Sequence, residues 1–300
     1  MTLQELRYLV ALADSGHFGR AAEACHISQP TLSTQLKKLE TFLGITLFER
    51  TNKALKITPL GEKIVARARQ VLAEADAIVA LAQENTGPLS GPFHLGVIPT
   101  LSPYLLPWLL PALKKSHPDL KLALHEDLTQ ALIDRLKSHR LDAALLSLPV
   151  KDDELVSEPL FDEPFFFACS GEHKLSHAES VDTADLAGAH LLLLTDGHCL
   201  RDQALTVCGM KEAQEEETDF RASSLETIRQ MVASGMGCTL LPALAAAPGK
   251  DRLEIRPLRG EASRRIGIVW RKSYPKAADI ERFANIVRAH LPAAVRLAAT

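Results

Sequence analysis

The stretch HISQPTLSTQLKKLE, residues 26–40, restricts the fold of this chain more than any other feature. Ser28 is suited to cap a helix whose first N–H groups need an acceptor, and Pro30 in the first turn loses nothing by lacking an N–H. Leu32, Leu36 and Leu39 recur at helical spacing as one inward stripe, which leaves Thr31, Ser33, Gln35 and Lys38 facing out. A short helix over Gly19–Cys25 precedes it. Before that, Leu3, Leu6, Val10 and Ala13 give a further helix with one buried stripe that breaks at Ser15–Gly16. Two short helices so placed, the second carrying hydroxyl and amide side chains near its start, fit a helix-turn-helix that enters the major groove. A helical hairpin with a solvated polar face gives the same periodicity, so the residues that follow must decide. LGITLFERTNKALKITPLG alternates apolar residues through Ile45, Leu47 and Phe48, turns at Thr51–Asn52–Lys53 and returns through Leu55 and Ile57 to Pro59. That is a short wing, with Arg50 and Lys53 near its tip.

The net charge of −3 makes no case for nucleic acid from the chain as a whole, so any such surface has to be local. It is found between residues 31 and 63, where Lys37, Lys38, Arg50, Lys53, Lys56 and Lys63 face only Glu40, Glu49 and Glu62. Gln29, Pro30, Thr31, Ser33, Gln35, Lys38, Arg50 and Lys53 are therefore the expected DNA-contacting set. Hydroxyls and amides reach base edges, and cations meet phosphates.

From Leu60 to Glu84 the sequence reads as one long helix. Ile64, Ala68, Val71, Ala75, Ile78 and Ala82 follow alternating four- and three-residue steps, the spacing of a coiled-coil seam, and Val65, Leu72 and Val79 widen it. Pairing with a second copy fits a two-fold DNA reader, while packing on its own domain is the plainer alternative. Asn85–Pro92 is Gly- and Pro-rich and reads as a linker.

The remainder alternates strand and helix. Phe93–Ile98, a helix over Leu105–Ser116, Leu120–His125, a helix over Thr129–Ser138 and Asp142–Leu148 form a βαβ pattern with a parallel sheet. Phe165–Ser170, Leu191–Leu194, the helix Ser224–Ala233, Cys238–Leu241, Arg265–Trp270 and a helix over Ala277–His290 complete a second set. Two α/β lobes with a cleft between them follow, the place where open α/β sheets bind ligands. The expected organisation is a winged helix-turn-helix over residues 1–59, a dimerising helix over 60–86 and an effector domain over 87–300.

The N-terminus lacks the basic and apolar regions of a signal peptide, and no apolar run has the length of a membrane span, so a soluble cytoplasmic protein is expected. The five cysteines, Cys25, Cys169, Cys199, Cys208 and Cys238, are an odd number without a CxxC pair. This argues against an extracellular disulfide framework and against structural zinc. No haem, flavin or nucleotide motif stands out, and no cofactor or metal is expected.

FGRAAEACHISQPTLSTQLKKLETFLGITLFERTNKALKITPLG resembles the N-terminal domain of LysR-type transcriptional regulators, and the order of winged helix-turn-helix, linker helix and two-lobed domain matches along the whole chain. Within that family, GVIPTLSPYLLP, LFDEP, TDGHCLRDQALTVC and FRASSLETIRQMVASGMG resemble its peroxide-sensing members. The resemblance implies an α/β chain with an effector domain like periplasmic binding proteins and no enzymatic turnover. It further implies double-stranded promoter DNA as partner, a homodimer through the linker helix within a homotetramer, RNA polymerase as a further partner, and hydrogen peroxide as signal. It makes Cys199 the peroxide-reactive thiol and Cys208 its resolving partner, and it places Thr100, Thr129 and His198 in the peroxide pocket. The local residues agree with a reactive thiol at 199. His198 and Arg201 flank it, and Asp196–Gly197 before LRDQALTV can set it at a helix N-terminus. Cys25, Cys169 and Cys238 read as small buried hydrophobes, and His125 as structural.

Nine positions separate Cys199 from Cys208, about 13 Å on a continuous helix, against the roughly 4.4–6.8 Å between Cα atoms that a disulfide needs. Bond formation then requires the segment to unwind, and the acidic run Glu212–Asp219 beyond it is suited to move with it. Two other readings remain open at this point: a regulator that binds a small metabolite in the cleft, and a thiol peroxidase.

Overall fold

The computed structural model describes residues 1–51, 54–82, 89–186, 189–210, 222–246 and 252–298. The chain divides into two compact units, Met1–Gly87 and Pro88–Thr300.

The first unit opens with α1 (Leu3–Ser15), started by a capping box in which Thr2 accepts from the Glu5 N–H while the Glu5 carboxylate accepts from the Thr2 N–H. Gly16 ends it in a left-handed conformation. Its buried face is Leu6, Tyr8, Leu9 and Leu12; of the expected stripe Leu6 is buried, Val10 and Ala13 are half-buried against the same core, and Leu3 is exposed. α2 (Phe18–Ala24) is set one residue earlier than expected because the His17 ring caps it at the Gly19 N–H, so Cys25 falls at its end. α3 (Gln29–Leu43) starts at Ser28, has Pro30 in its first turn and buries Leu32, Leu36 and Leu39, as the sequence indicates. β1 (Phe48–Thr51) and β2 (Ala54–Ile57) form the antiparallel wing. The expected turn residues Asn52 and Lys53 lie outside the described residues.

α4 (Pro59–Ala82) uses the expected seam in two ways. Val65 and Ala68 are buried in the unit's own core, with Ile64 and Leu72 packed against it. Val71, Ile78 and Val79 are 44%, 69% and 51% exposed. The first half of the stripe thus serves its own unit, and the far half presents apolar side chains to solvent.

In the second unit, β3 (Gly91–Val97) runs parallel to both β4 (Leu120–Glu126) and β5 (Ala143–Leu148), with α5 (Ser102–Ser116) and α6 (Thr129–Lys137) as the crossovers. The sheet is mixed rather than parallel. β6 (Leu155–Ser170) spans both lobes, and its first half pairs antiparallel with β9 (Ser263–Arg271), which pairs antiparallel with β5. Its second half turns to β7 (Thr239–Pro242) and β8 (Leu253–Pro257) of the second lobe. The short β10 (Arg296–Leu297) closes the edge.

The sequence pattern misses β8 and the first half of β6. Two prolines fall in that half, and the strand accommodates Pro159 at a register shift between Pro159 and Phe161. Leu191–Leu194 makes only isolated bridges, Leu191 with Cys238 and Leu194 with Ala222, rather than a strand. α7 (Cys199–Val207) and α8 (Leu225–Ala233) belong to the second lobe. α9 (Ala277–Ala289) packs on the first, where Phe283 stacks on Phe93 with ring centroids 5.4 Å apart. No helix among the described residues is long and apolar enough to cross a membrane.

Candidate thiol site and nucleic-acid interface

The first unit exposes one face of α3. Gln29, Pro30, Thr31 and Lys38 are exposed there, while Ser33 and Gln35 are half-buried. The Ser28 hydroxyl accepts from the Thr31 N–H at 3.3 Å and lies 2.8 Å from the Thr31 hydroxyl, so the helix start is locked with its small polar groups outward. Glu40 accepts from the backbone N–H groups of Leu47 and Phe48 at 2.8 and 3.3 Å, which fixes the wing to α3 and occupies one of the few local anions. The Arg50 backbone lies in β1 opposite Leu55. The Arg50 side chain and Lys53 lie outside the described residues.

In the second unit α7 runs from Cys199 at its first position to Val207, and Cys208 is its C-cap. The helix begins here because Gly197, at φ +92°, turns the chain in a conformation that side chains rarely adopt. A Cβ on Gly197 would lie 3.1 Å from the Leu128 side chain, so the turn before Cys199 abuts the residue that leads into α6 and Thr129. Cys199 is half-buried against the core of the first lobe, whereas Cys208 is buried within the second, with Cys169, Cys238, Phe167 and Leu240. All five cysteines are free. Burial raises the Cys208 thiol above its ordinary range. Cys25 is half-buried, its thiol also raised by burial. Cys169 and Cys238 are buried, as read.

The two residues flanking Cys199 differ from expectation. His198 is buried, and that burial lowers its pKa, so its ring favours the neutral form and supplies no fixed cation. The Arg201 guanidinium bonds to Asp196 at 2.9 Å and donates to the Leu194 carbonyl at 3.2 Å, which braces the turn leading into α7. The helix N-terminus itself favours a negative charge at Cys199, the first residue of α7.

Two threonine hydroxyls are held differently. Thr100, just after β3, is buried and its oxygen accepts from Arg264 at 2.8 Å, which leaves its own O–H free to donate. Arg264 is fully buried and forms an ion pair with Glu163 at 2.8 Å; Glu163 also accepts from the Leu244 N–H at 2.8 Å. Thr129 Oγ1, at the first position of α6, is buried without a hydrogen-bond partner. Sequence reasoning did not find Gln203, whose amide nitrogen donates to Ser147 on β5 at 2.7 Å while its oxygen is buried and unpartnered. The only signal for it is its position four residues after Cys199, on one face of the helix. The buried polar atoms at Thr129 and at Gln203 are each left able to accept a hydrogen bond from a small polar ligand. Among the described residues no group of three or more His, Cys, Asp or Glu is arranged to hold a metal ion.

Comparison with known proteins agrees with this architecture. Residues 3–62 match the bacterial regulatory helix-turn-helix protein family of the lysR type, and residues 86–292 match the LysR substrate binding domain. The chain is 45% identical over 294 residues to the DNA-binding transcriptional dual regulator OxyR of Escherichia coli K12, covering 97% of this chain and 96% of that one. It is similar to the full-length structure of a cysteine-to-aspartate variant of OxyR from Pseudomonas aeruginosa, with a TM-score of 0.82, 42% identity, and coverage of 97% and 99%. A peroxide-bound cysteine variant of OxyR from Corynebacterium glutamicum matches with a TM-score of 0.66, 35% identity, and coverage of 96% and 92%. With a helix-turn-helix unit, a two-lobed α/β unit and such relatives along its whole length, the chain belongs to the LysR family of transcriptional regulators.

Proposed function

We propose that this protein is a hydrogen-peroxide-responsive, DNA-binding transcriptional regulator that switches through a reversible disulfide between Cys199 and Cys208. The observation that carries the reading is that these two cysteines bound one helix, Cys199 at its first position and Cys208 at its C-cap. The Cys199 thiolate attacks one peroxide oxygen, the O–O bond breaks, and hydroxide leaves and is protonated to water. The Cys208 thiol then attacks the sulfenic sulfur and expels a second water, so two thiols are oxidised by one peroxide. Thr100 donates its free O–H to the departing oxygen, Thr129 Oγ1 takes the hydrogen bond it lacks, and neutral His198 closes the pocket. Arg201 acts as a positioning residue through the Asp196–Gly197 turn.

Because a continuous α7 keeps the sulfurs apart, oxidation selects an unwound segment and repacks the second lobe. The regulator reads double-stranded promoter DNA through residues 1–59, dimerises through residues 60–86 using the exposed Val71, Ile78 and Val79, and senses through residues 87–300. It works in the cytoplasm as a homotetramer that engages RNA polymerase. Amide hydrogen exchange tests the conformational step. The α7 amides are expected to be protected in the reduced protein and to exchange at least ten-fold faster after one equivalent of peroxide. Equal protection in both states would remove unwinding from the mechanism.

A further inference from the structure

Cys208 does not rest in an inert seat. In the reduced protein it is buried in one small cluster with Cys169 and Cys238, and Ala204 of its own helix packs there too. Cys169 on β6 and Cys238 just before β7 lie side by side in that cluster. β6 and β7 pair from Phe165 with Pro242 to Ala168 with Thr239, so each cysteine adjoins the last pair of that ladder. Backbone bonds hold Cys238 in line, its N–H donating to the His190 carbonyl at 3.0 Å and its carbonyl accepting from the Leu192 N–H at 2.8 Å. A disulfide needs Cβ atoms about 3.5–4.5 Å apart. Closing this pair takes an adjustment at a strand end and the release of the Cys238 thiol from the His190 carbonyl, to which it donates at 3.4 Å, whereas closing Cys199 on Cys208 takes the loss of a helix. The Cys238 thiol is pushed up to about 12, first by burial and then by its neighbours Cys169 and Cys208.

We propose that Cys169 and Cys238 form a second redox couple that takes the disulfide over from Cys199 and Cys208 and thereby resets the sensor from within. The inference rests on the Cys199–Cys208 switch proposed above. When Cys208 returns toward its seat, the Cys238 thiolate attacks the Cys208 sulfur, the bond to Cys199 breaks, and Cys199 leaves as a thiolate. The Cys169 thiolate then attacks the Cys238 sulfur and releases Cys208. One disulfide is reduced, one dithiol is oxidised, and the two protons of Cys169 and Cys238 end on Cys199 and Cys208, so no outside reductant enters. The direction follows from strain: the transfer lets α7 re-form while the new bond joins two segments already packed in one cluster. The high resting pKa of Cys238 keeps the exchange slow, so that it acts as a timer after the switch rather than as a competitor during it.

The test is a time course in reductant-free buffer on the full-length protein, after one equivalent of hydrogen peroxide, with alkylation and peptide mapping at each point. A Cys199–Cys208 linkage is expected first, followed by its decay into Cys169–Cys238 as Cys199 and Cys208 become alkylatable again. Cys238→Ser, which keeps a donor for the His190 carbonyl, should prolong the first linkage at least ten-fold. Cys169→Ala blocks only the second step and should accumulate a Cys208–Cys238 bond. A Cys199–Cys208 linkage of equal lifetime in wild type and Cys238→Ser, with Cys169 and Cys238 fully alkylated, would overturn the relay and leave the switch intact. Absence of any Cys199–Cys208 linkage would overturn both.

Discussion

Gln203 reaches from the helix that begins at Cys199 to Ser147 on β5, its amide nitrogen donating to the serine hydroxyl at 2.7 Å. This contact ties α7, an element of the second lobe, to the central sheet of the first. Ser147→Ala removes the acceptor and leaves a buried amide unpaired, at a cost of about 1–3 kcal/mol. The reduced mutant is therefore expected to show α7 amides exchanging at least five-fold faster than wild type and to form its disulfide faster at equal peroxide. An unchanged exchange rate would show that the bond does not hold the helix.

The ion pair of Glu163 and Arg264 is fully buried, and it holds the Thr100 hydroxyl. Removing one partner strands the other charge, so Glu163→Ala should lower unfolding stability by about 3–5 kcal/mol. Urea unfolding of the reduced protein measures this. A loss below 1 kcal/mol would mean that water or a new partner replaces the carboxylate.

His139 gives the second unit a sensitivity to acid. Burial, with Arg271 nearby, lowers its pKa to about 4, and its Nδ1 is buried without a partner. The folded state thus resists protonation more than the unfolded one, whose histidine titrates near 6.5. The stabilisation is full above pH 6.5 and is lost as pH falls toward about 4. The melting temperature should drop across that window, and His139→Asn should flatten the drop, since asparagine tolerates the left-handed backbone at φ +57°. Equal slopes for both proteins would assign the acid loss to other groups.

On DNA, Lys38→Ala is expected to weaken binding to all sequences alike and to reduce the salt slope by about one unit. Gln35→Ala should instead change preference at one base pair, by about 1–3 kcal/mol. Titrations at several salt concentrations against a site and its single-base variants separate the two. An unchanged slope for Lys38→Ala would take it out of the phosphate contacts.

Local signals in the sequence served best. Ser28 and Pro30 mark the start of α3 and its leucines mark the inward face, and these follow from the chain alone, whereas its end at Leu43, capped by Gly44, was not read. The stripe along α4 illustrates where periodicity stops being informative, because one spacing serves both the buried Val65 and Ala68 and the exposed Ile78. Leu3 belongs to the expected face of α1 yet stays exposed, since it lies in the first turn, at the edge of the core. Around the thiol, the position of Cys199 at a helix start was legible from Asp196–Gly197. The contacts that position the site were not. Gln203 with Ser147 and Arg264 with Glu163 join residues 56 and 101 positions apart, and no local pattern announces such a partner. Arg201 looked like a neighbour of the sulfur by sequence distance, but its guanidinium turns to Asp196 and Leu194.

In the proposed switch, peroxide joins the two cysteines that bound α7. The most direct measurement treats the fully reduced protein with one equivalent of hydrogen peroxide, quenches free thiols within seconds by alkylation, and maps the cysteines by mass spectrometry. A rapid Cys199–Cys208 linkage, absent from Cys199→Ser, is the expected result. Slow oxidation spread over all five cysteines, or a Cys199→Ser protein that responds to peroxide as wild type does, would contradict it.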